Sequence, residues 1–494
     1  MPGLSLLAPQ WLAPKEQGPN FTNKRTQELT TLQLPQRQSD ETESVSAGIT
    51  QDPEDGREMA AIAAVPGNIE PSALQRAIRG VGWNVFGSIV AQGGSFLSSV
   101  LVARLIGKQQ FGQFAMIQST VITLTGLAAL GLGITATKYV SQYRTTNPEK
   151  AGRILGLSSM VAVLAALSFC AGLVLFAPSL ATDGSLVPDL RLSAICVFFI
   201  TVNGYQVGAL VGLEAFKRIA SISMISGPAT VLLTWALAYR FGIRGAVLAQ
   251  GVSAFILWLF YHIDLTFEGR ATNIAVRYRG VWKERSALIR FSVPAMLSGI
   301  IGSFAIWWCN IILVRTNGYA ELAVFTAANN LRLMVVFLPA LIARVTAPML
   351  NNLLVSGNHV DYRRTFRGAI AVNGGIALLL AGLLWGANKQ ILHLFGKDFV
   401  GSAALVVLLL GSVVVEVVAV NLCQALFTSQ SLWWQVAIIT IWSALLAGAS
   451  TFTIPRYGAA GLACSYLVAW CVSGVLYGSF AWVQQKRRDE GLRS

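Results

Sequence analysis

The chain is 494 residues long, 54 % of them hydrophobic and 12 % charged, with a mean hydropathy of +0.58. Soluble domains carry about twice that charged fraction, so a soluble core is excluded and a polytopic membrane protein is indicated. The formal net charge of +14 sits mostly in alternate loops, the pattern of membrane orientation rather than of nucleic-acid binding.

Residues 1 to about 70 are polar and rich in Pro and Gln, with five Lys or Arg against ten Asp or Glu. They hold no apolar run long enough for a signal peptide and read as a disordered acidic tail over 1–72; Met59 offers an alternative start. Beyond it hydropathy marks twelve spans, at 81–104, 112–137, 154–178, 188–212, 219–239, 244–264, 289–314, 321–347, 367–387, 400–426, 432–454 and 458–483. The expected fold is all-α and polytopic, with about 12 transmembrane helices joined by short loops. Lys and Arg divide 21 to nine between the two sets of loops, the larger number lying on the side of the termini. By the positive-inside rule both termini face the cytoplasm.

The longest connection, 265–287, is basic and separates a six-helix lobe at 73–264 from a second at 288–484, which a basic tail at 485–494 follows. The halves echo each other. Ile78 and Arg79 recur as Ile289 and Arg290, and Arg104, Gly107, Phe111 and Phe114 recur as Arg315, Gly318, Leu322 and Phe325, all 211 residues on. Arg240, Gly242 and Gly245 recur as Arg456, Gly458 and Gly461, 216 residues on. Spans one and seven run the same way, so this is a parallel repeat of two pseudo-symmetric bundles facing a central cleft, the architecture that alternating access requires.

In span one Asn84, Ser88, Gln92, Ser95 and Ser99 fall at steps of four, four, three and four, which lines them on one helix face. Lipid has no use for such a stripe, so it faces water or other helices. The repeat maps it onto span seven, where Ser303 and Asn310 keep polar side chains and Trp307 and Trp308 lie nearby as stacking surfaces for sugar rings. The bland alternative for each polar residue is glue between helices. Arg332 lies eleven residues into span eight, roughly 16 Å deep and near the midplane. Two roles are open to it: an ion pair with Glu416, the carboxylate deep in span ten, or, with Asn329 beside it, a planar fork for a phosphate. Glu416 is then either a structural partner or an ion-coupling group. Gly152/Gly156 and Gly208/Gly212 predict close helix packing, and Pro228, Pro294, Pro339 and Pro348 are candidate kinks. The six cysteines lie in apolar stretches without ligand spacing and His262, His359 and His393 are scattered, so neither a metal nor a cofactor is expected.

The opening Trp83-Asn84 helix, the Ala103-Arg104-Leu105-Ile106-Gly107 turn with Phe111-Gly112-Gln113-Phe114 after it, and the Gly131-Leu132-Gly133 exit of span two resemble the polysaccharide biosynthesis, or O-antigen flippase, family. This family belongs to the multidrug/oligosaccharidyl-lipid/polysaccharide exporter superfamily, and the likeness covers about residues 76–485. It implies two bundles forming a V and a non-enzymatic flippase for undecaprenyl-pyrophosphate-linked sugars in the bacterial cytoplasmic membrane. It also implies Arg residues along the cavity, for which Arg332 is the positional match. The implied partners are membrane lipids and a polyprenyl-pyrophosphate-linked glycan, with polysaccharide polymerase and chain-length machinery as candidate protein partners. A cation-coupled drug exporter of the same superfamily is the alternative, although span one lacks the acidic residue such members commonly carry. A membrane polymerase or ligase is disfavoured by the short outer loops, and no Gly-Lys-Ser/Thr phosphate loop is present.

Overall fold

A computed structural model describes residues 71–181, 183–399, 403–428 and 432–491. The chain divides at Val65 into two units, and these residues all lie in the second, Pro66–Ser494. The acidic tail falls almost entirely outside the described residues.

Among the described residues there are twelve α-helices and no strand: α1 (Pro71–Ala129), α2 (Leu132–Tyr143), α3 (Pro148–Leu180), α4 (Val187–Leu192), α5 (Ala194–Gly212), α6 (Phe216–Ala271), α7 (Arg285–Asn317), α8 (Tyr319–Val355), α9 (His359–Gly386), α10 (Asn388–Phe395), α11 (Ala403–Thr428) and α12 (Leu432–Gly491). These are not one crossing each. Among the described residues nine stretches are long and apolar enough to span a membrane, and three of them, Val85–Tyr143, Phe216–Ala271 and Trp433–Val483, run for 59, 56 and 51 residues. Straight helices of that length would reach roughly 75–90 Å, far beyond a hydrocarbon core of about 30 Å. They reverse at Gly107, Gly242 and Gly458 respectively, and Val85–Tyr143 is interrupted again at Leu130 and Gly131. Since each doubled stretch crosses twice, the nine give the twelve crossings that hydropathy predicts. Large side chains such as Leu175, Phe452 and Val475 stand exposed on the outside, as a lipid-facing surface requires.

The breaks fold the chain back on itself. A Cβ placed on Gly245 would stand 1.8 Å from the carbonyl oxygen of Leu237, and one on Gly461 would stand 2.2 Å from that of Thr453. Residues eight apart on a straight helix are about 12 Å apart. Only a residue without a side chain permits the reversal to pack this tightly.

The repeat extends to backbone conformation. Gly107 (φ 78°, ψ 170°) matches Gly318 (φ 89°, ψ 171°), and Gly242 (φ 61°, ψ −134°) matches Gly458 (φ 55°, ψ −131°). It also extends to contacts between helices. Glu321 Oε1 accepts from the Ala459 N–H at 3.0 Å, just past the Gly458 break, satisfying one of the amides orphaned where the second arm begins. Gln110, 211 residues earlier, places its Oε1 at 3.9 Å from where a Cβ of Gly242 would lie.

Three expectations are corrected. Span two does not run unbroken from 112 to 137: Leu130 (φ 47°) and Gly131 (φ 66°) interrupt it. The long helix containing Pro228 breaks at Gly242, not at the proline. Gly208 does meet another helix, against Gly133, but Gly152 and Gly156 receive the linker instead, with Cβ positions 2.2 Å from Ala275 O and 2.0 Å from Arg277 O. The Arg277 N–H donates to Gly152 O at 3.0 Å, Arg153 pairs with Glu284 at 3.1 Å, and Ile274 is buried. A bare helix face accepts an extended backbone as readily as another helix.

Candidate functional site

The two halves meet through α1 of the first and α7 and α8 of the second. Ser99 Oγ accepts from Asn330 Nδ2 at 3.1 Å, and Ser119 Oγ accepts from Asn310 Nδ2 at 2.9 Å. These bonds are symmetry mates: Ser99 maps onto Asn310 and Ser119 onto Asn330 at the offset of 211. Beside them Trp307 Nε1 donates to Thr120 Oγ1 at 3.1 Å, and Thr123 Oγ1 donates to Ser303 O at 3.4 Å. The seam is thus polar and paired about the repeat axis.

Next to the seam lies a cavity of about 890 Å³, walled by both halves. Ser95, Ser98 and Ser99 come from the first arm of α1, and Gln118, Ser119 and Thr123 from its second. Asn203 of α5, and Ser226, Thr230, Thr234, Gln250, Ser253 and Tyr261 of α6, add further polar side chains from the first half. The second half supplies Ser303 and Asn310 of α7, Thr326, Asn329 and Asn330 of α8, and Tyr466 of α12. Among the described residues the wall has no Lys, Arg, His, Asp or Glu. It presents hydroxyls, amides and apolar carbon.

Of the residues singled out in the sequence, Ser95, Ser99, Ser303, Asn310 and Asn329 stand together in this wall. Ser88 and Gln92 are half-buried on α1 outside it, and the side chain of Asn84 lies outside the described residues. Trp307 is absent from the wall: its half-buried indole N–H donates to Thr120 Oγ1 across the seam. Trp308 is also outside the wall, so stacking of sugars on this pair has no geometric support.

Arg332 does not present its fork to the cavity. It is 8 % exposed, and its Nη2 donates to a Glu416 carboxylate oxygen. Its Nη1 donates to Asn329 Oδ1 at 3.3 Å, and its guanidinium lies 5.3 Å from the ring centroid of Tyr466. Asn329 and Tyr466, which contact the guanidinium, belong to the wall, whereas Arg332 and Glu416 do not. Of the two roles open to Arg332, this geometry takes the pair within the second half. A buried guanidinium needs a counter-charge at all times, and Glu416, itself 9 % exposed, supplies one.

Gln118, Ser119, Thr123, Asn203, Thr230, Gln250, Ser253 and Asn330 are wall residues that the sequence reading passes over. Their signal was the helical spacing already used on span one: Ser226, Thr230 and Thr234 fall at steps of four, and Ser119 and Thr123 do likewise.

Toward the Gly107 end the halves are closed by aromatic rings. Phe395 and Phe399 of the second half pack on Phe111, with centroids at 6.1 and 5.8 Å, and Phe395 also meets Phe96 at 5.8 Å. Arg104 Nη2 donates to His393 O at 3.3 Å beside them. Phe111, Phe395 and Phe399 are each no more than 2 % exposed.

This architecture is shared by solved transporters. A multidrug resistance MATE family transporter of the MOP superfamily, in its inward-facing conformation, superposes with a TM-score of 0.69 over 80 % of this chain and 95 % of its own, at 16 % identity. A MOP superfamily transporter from Pyrococcus furiosus gives 0.65 over 83 % and 96 %, at 17 % identity. The fold is therefore that of the MOP superfamily. Within it, residues 77–354 match the family described as polysaccharide biosynthesis protein, and the chain belongs to that family. The EPS I polysaccharide export inner membrane protein EpsE of Ralstonia nicotianae is 24 % identical over 82 % of this chain and 93 % of its own length. A putative O-antigen transporter of Shigella flexneri is 22 % identical over 55 % of this chain and 66 % of its own.

Proposed function

We propose that the chain is a polysaccharide transporter of the inner membrane, and that its substrate is a polyprenyl-pyrophosphate-linked oligosaccharide carried from the cytoplasmic to the outer leaflet by alternating access. Family membership and the names of the relatives support the transporter class. The observation that carries the finer reading is the cavity: near the upper end of ligand-pocket volumes, walled by both halves, and lined by the hydroxyls and amides that hydrogen-bond sugars. Both termini are cytoplasmic in this scheme, so the Phe96, Phe111, Phe395 and Phe399 cluster is the outer closure. Those rings part when the site turns outward, and the paired bonds at Ser99–Asn330 and Ser119–Asn310 bear the relative rotation of the halves. Arg332 and Glu416 hold α8 to α11 and do not contact substrate. The chemistry is transport rather than catalysis.

A drug exporter of the same fold is the competing reading, but the wall offers cationic drugs no carboxylate among the described residues. The test is reconstitution of the purified chain in vesicles loaded on one leaflet with labelled polyprenyl-pyrophosphate-linked oligosaccharide. Transfer to the other leaflet, absent from empty vesicles, is expected. Export of cationic dyes without lipid-linked sugar transfer would reverse the assignment.

A further inference from the structure

The linker between the halves does not stay above the membrane. Residues 274–278 form neither helix nor strand, and the α3 positions they touch follow one another down that helix. Gly152 faces Ala275 O and Gly156 faces Arg277 O, while Ser159 Oγ lies 3.3 Å from the Tyr278 hydroxyl. Four helical residues advance about 6 Å and two extended ones about 6.6 Å, so the two backbones keep step. Gly280, at φ 73°, then turns the segment back, and Glu284 reaches Arg153 at 3.1 Å. The linker is re-entrant. No charge follows Arg153 along the chain until Asp183, so Ser159, six residues on and about 9 Å deeper, lies within the apolar part of α3. The same strip of α3 continues through Leu167 and Val174, both exposed. The dip therefore sits on a flank of the first half that meets lipid.

At the bottom of the dip Arg279 is exposed, and on either side of it Tyr278 and Trp282 are 62 % and 65 % exposed. Such rings settle where acyl chains give way to headgroups, and an Arg at that depth directs its guanidinium toward the phosphates. The nearby acids are spent elsewhere: Glu149 pairs with Arg277 at 3.2 Å and Glu284 with Arg153. Among the described residues no carboxylate pairs with Arg279, so its charge is uncompensated. We propose that the dip is a binding site for an anionic phospholipid, whose phosphate takes the fork of Arg279 and whose glycerol and upper acyl chains lie against Tyr278 and Trp282. With both acids occupied, the local positive charge favours a lipid of net negative charge over a zwitterionic one. The lipid covers the linker from outside while Gly152 and Gly156 seat it from within, which fastens the connection between the halves to the first of them. In the topology proposed above this is a lipid of the inner leaflet.

The experiment uses phosphatidylglycerol and phosphatidylcholine, each with a photoactivatable diazirine near the head of one acyl chain, at equal density in vesicles containing the purified full chain. After illumination, proteolysis and mass spectrometry identify the labelled peptides. Phosphatidylglycerol is expected to label residues 274–284 about fivefold more than phosphatidylcholine, the factor that one basic residue contributes at an anionic surface. Arg279→Gln, a change in an exposed turn, should remove that excess without moving the melting temperature. Arg364→Gln, at an exposed position near the start of α9, should leave it intact. Equal labelling by the two lipids, an excess that survives R279Q, or one that falls as far with R364Q would overturn the site. Loss of the excess on adding inorganic phosphate would assign the dip to a soluble anion and overturn the lipid. Transport is not read in this assay, so its outcome is separate from that of the flippase reading.

Discussion

A guanidinium deep in a membrane-spanning helix has few options, and Arg332 shows how burial chooses among them. Its depth in span eight and its partner Glu416 were both legible in the sequence, because each is a lone charge far inside an apolar run. The direction of its fork was not, since that depends on which helices adjoin across 84 positions of chain. If the pair is structural, Glu416→Ala strands a buried cation and should cost about 3–5 kcal/mol, read as a lowered melting temperature of the purified protein. Replacing both partners, Arg332→Met with Glu416→Leu, should recover most of that loss and keep transport. A stable double variant without transport would place the pair in the mechanism instead. The seam makes a second prediction at this scale. Asn310→Ala removes one of the two related hydrogen bonds, and Asn330→Ala removes the other together with a bond to Thr326 O at 3.0 Å, so each should destabilise by at least about 0.5–1.5 kcal/mol. Thermal unfolding that shows one of them neutral would argue that the two contacts are not equivalent.

At the scale of the element, the glycines that recur at fixed offsets did not reveal what they do. Hydropathy dips around Gly107, Gly242 and Gly458 suggested loops between spans, whereas each reversal turns on a single glycine whose positive φ other residues adopt only under strain. The same limit explains Gly152 and Gly156: small residues spaced by four announce a close approach, but not whether a helix or an extended linker makes it. Gly242→Ala should therefore cost about 1–3 kcal/mol. Gly172→Ala, at a helical position with nothing within 4 Å of the added methyl, should be neutral or gain up to about 1 kcal/mol. Equal melting temperatures for the two variants would mean that the break at Gly242 tolerates a side chain. The polar stripe was legible only in part, because helical spacing marks a face without saying how far along that face the cavity reaches. Ser95 and Ser99 reach it, and Ser88 does not.

For the whole molecule, the repeat in sequence becomes a repeat in backbone angles, in the Gln110 and Glu321 contacts and in the bonds across the seam, so two matched halves with a shared cavity follow from the chain itself. What the order of residues could not convey was the closure of one end by Phe96, Phe111, Phe395 and Phe399, because rings from segments almost 300 positions apart meet only in the folded molecule. If the halves rock about the seam, these rings must separate once in every cycle. The most direct test uses a chain whose six native cysteines are replaced and which carries Phe111→Cys with Phe395→Cys, joined by a short cleavable thiol cross-linker before reconstitution. Transfer of lipid-linked oligosaccharide should stop while the cross-link is intact and return when it is cleaved. Undiminished transfer through the cross-linked protein would contradict alternating access between the two halves.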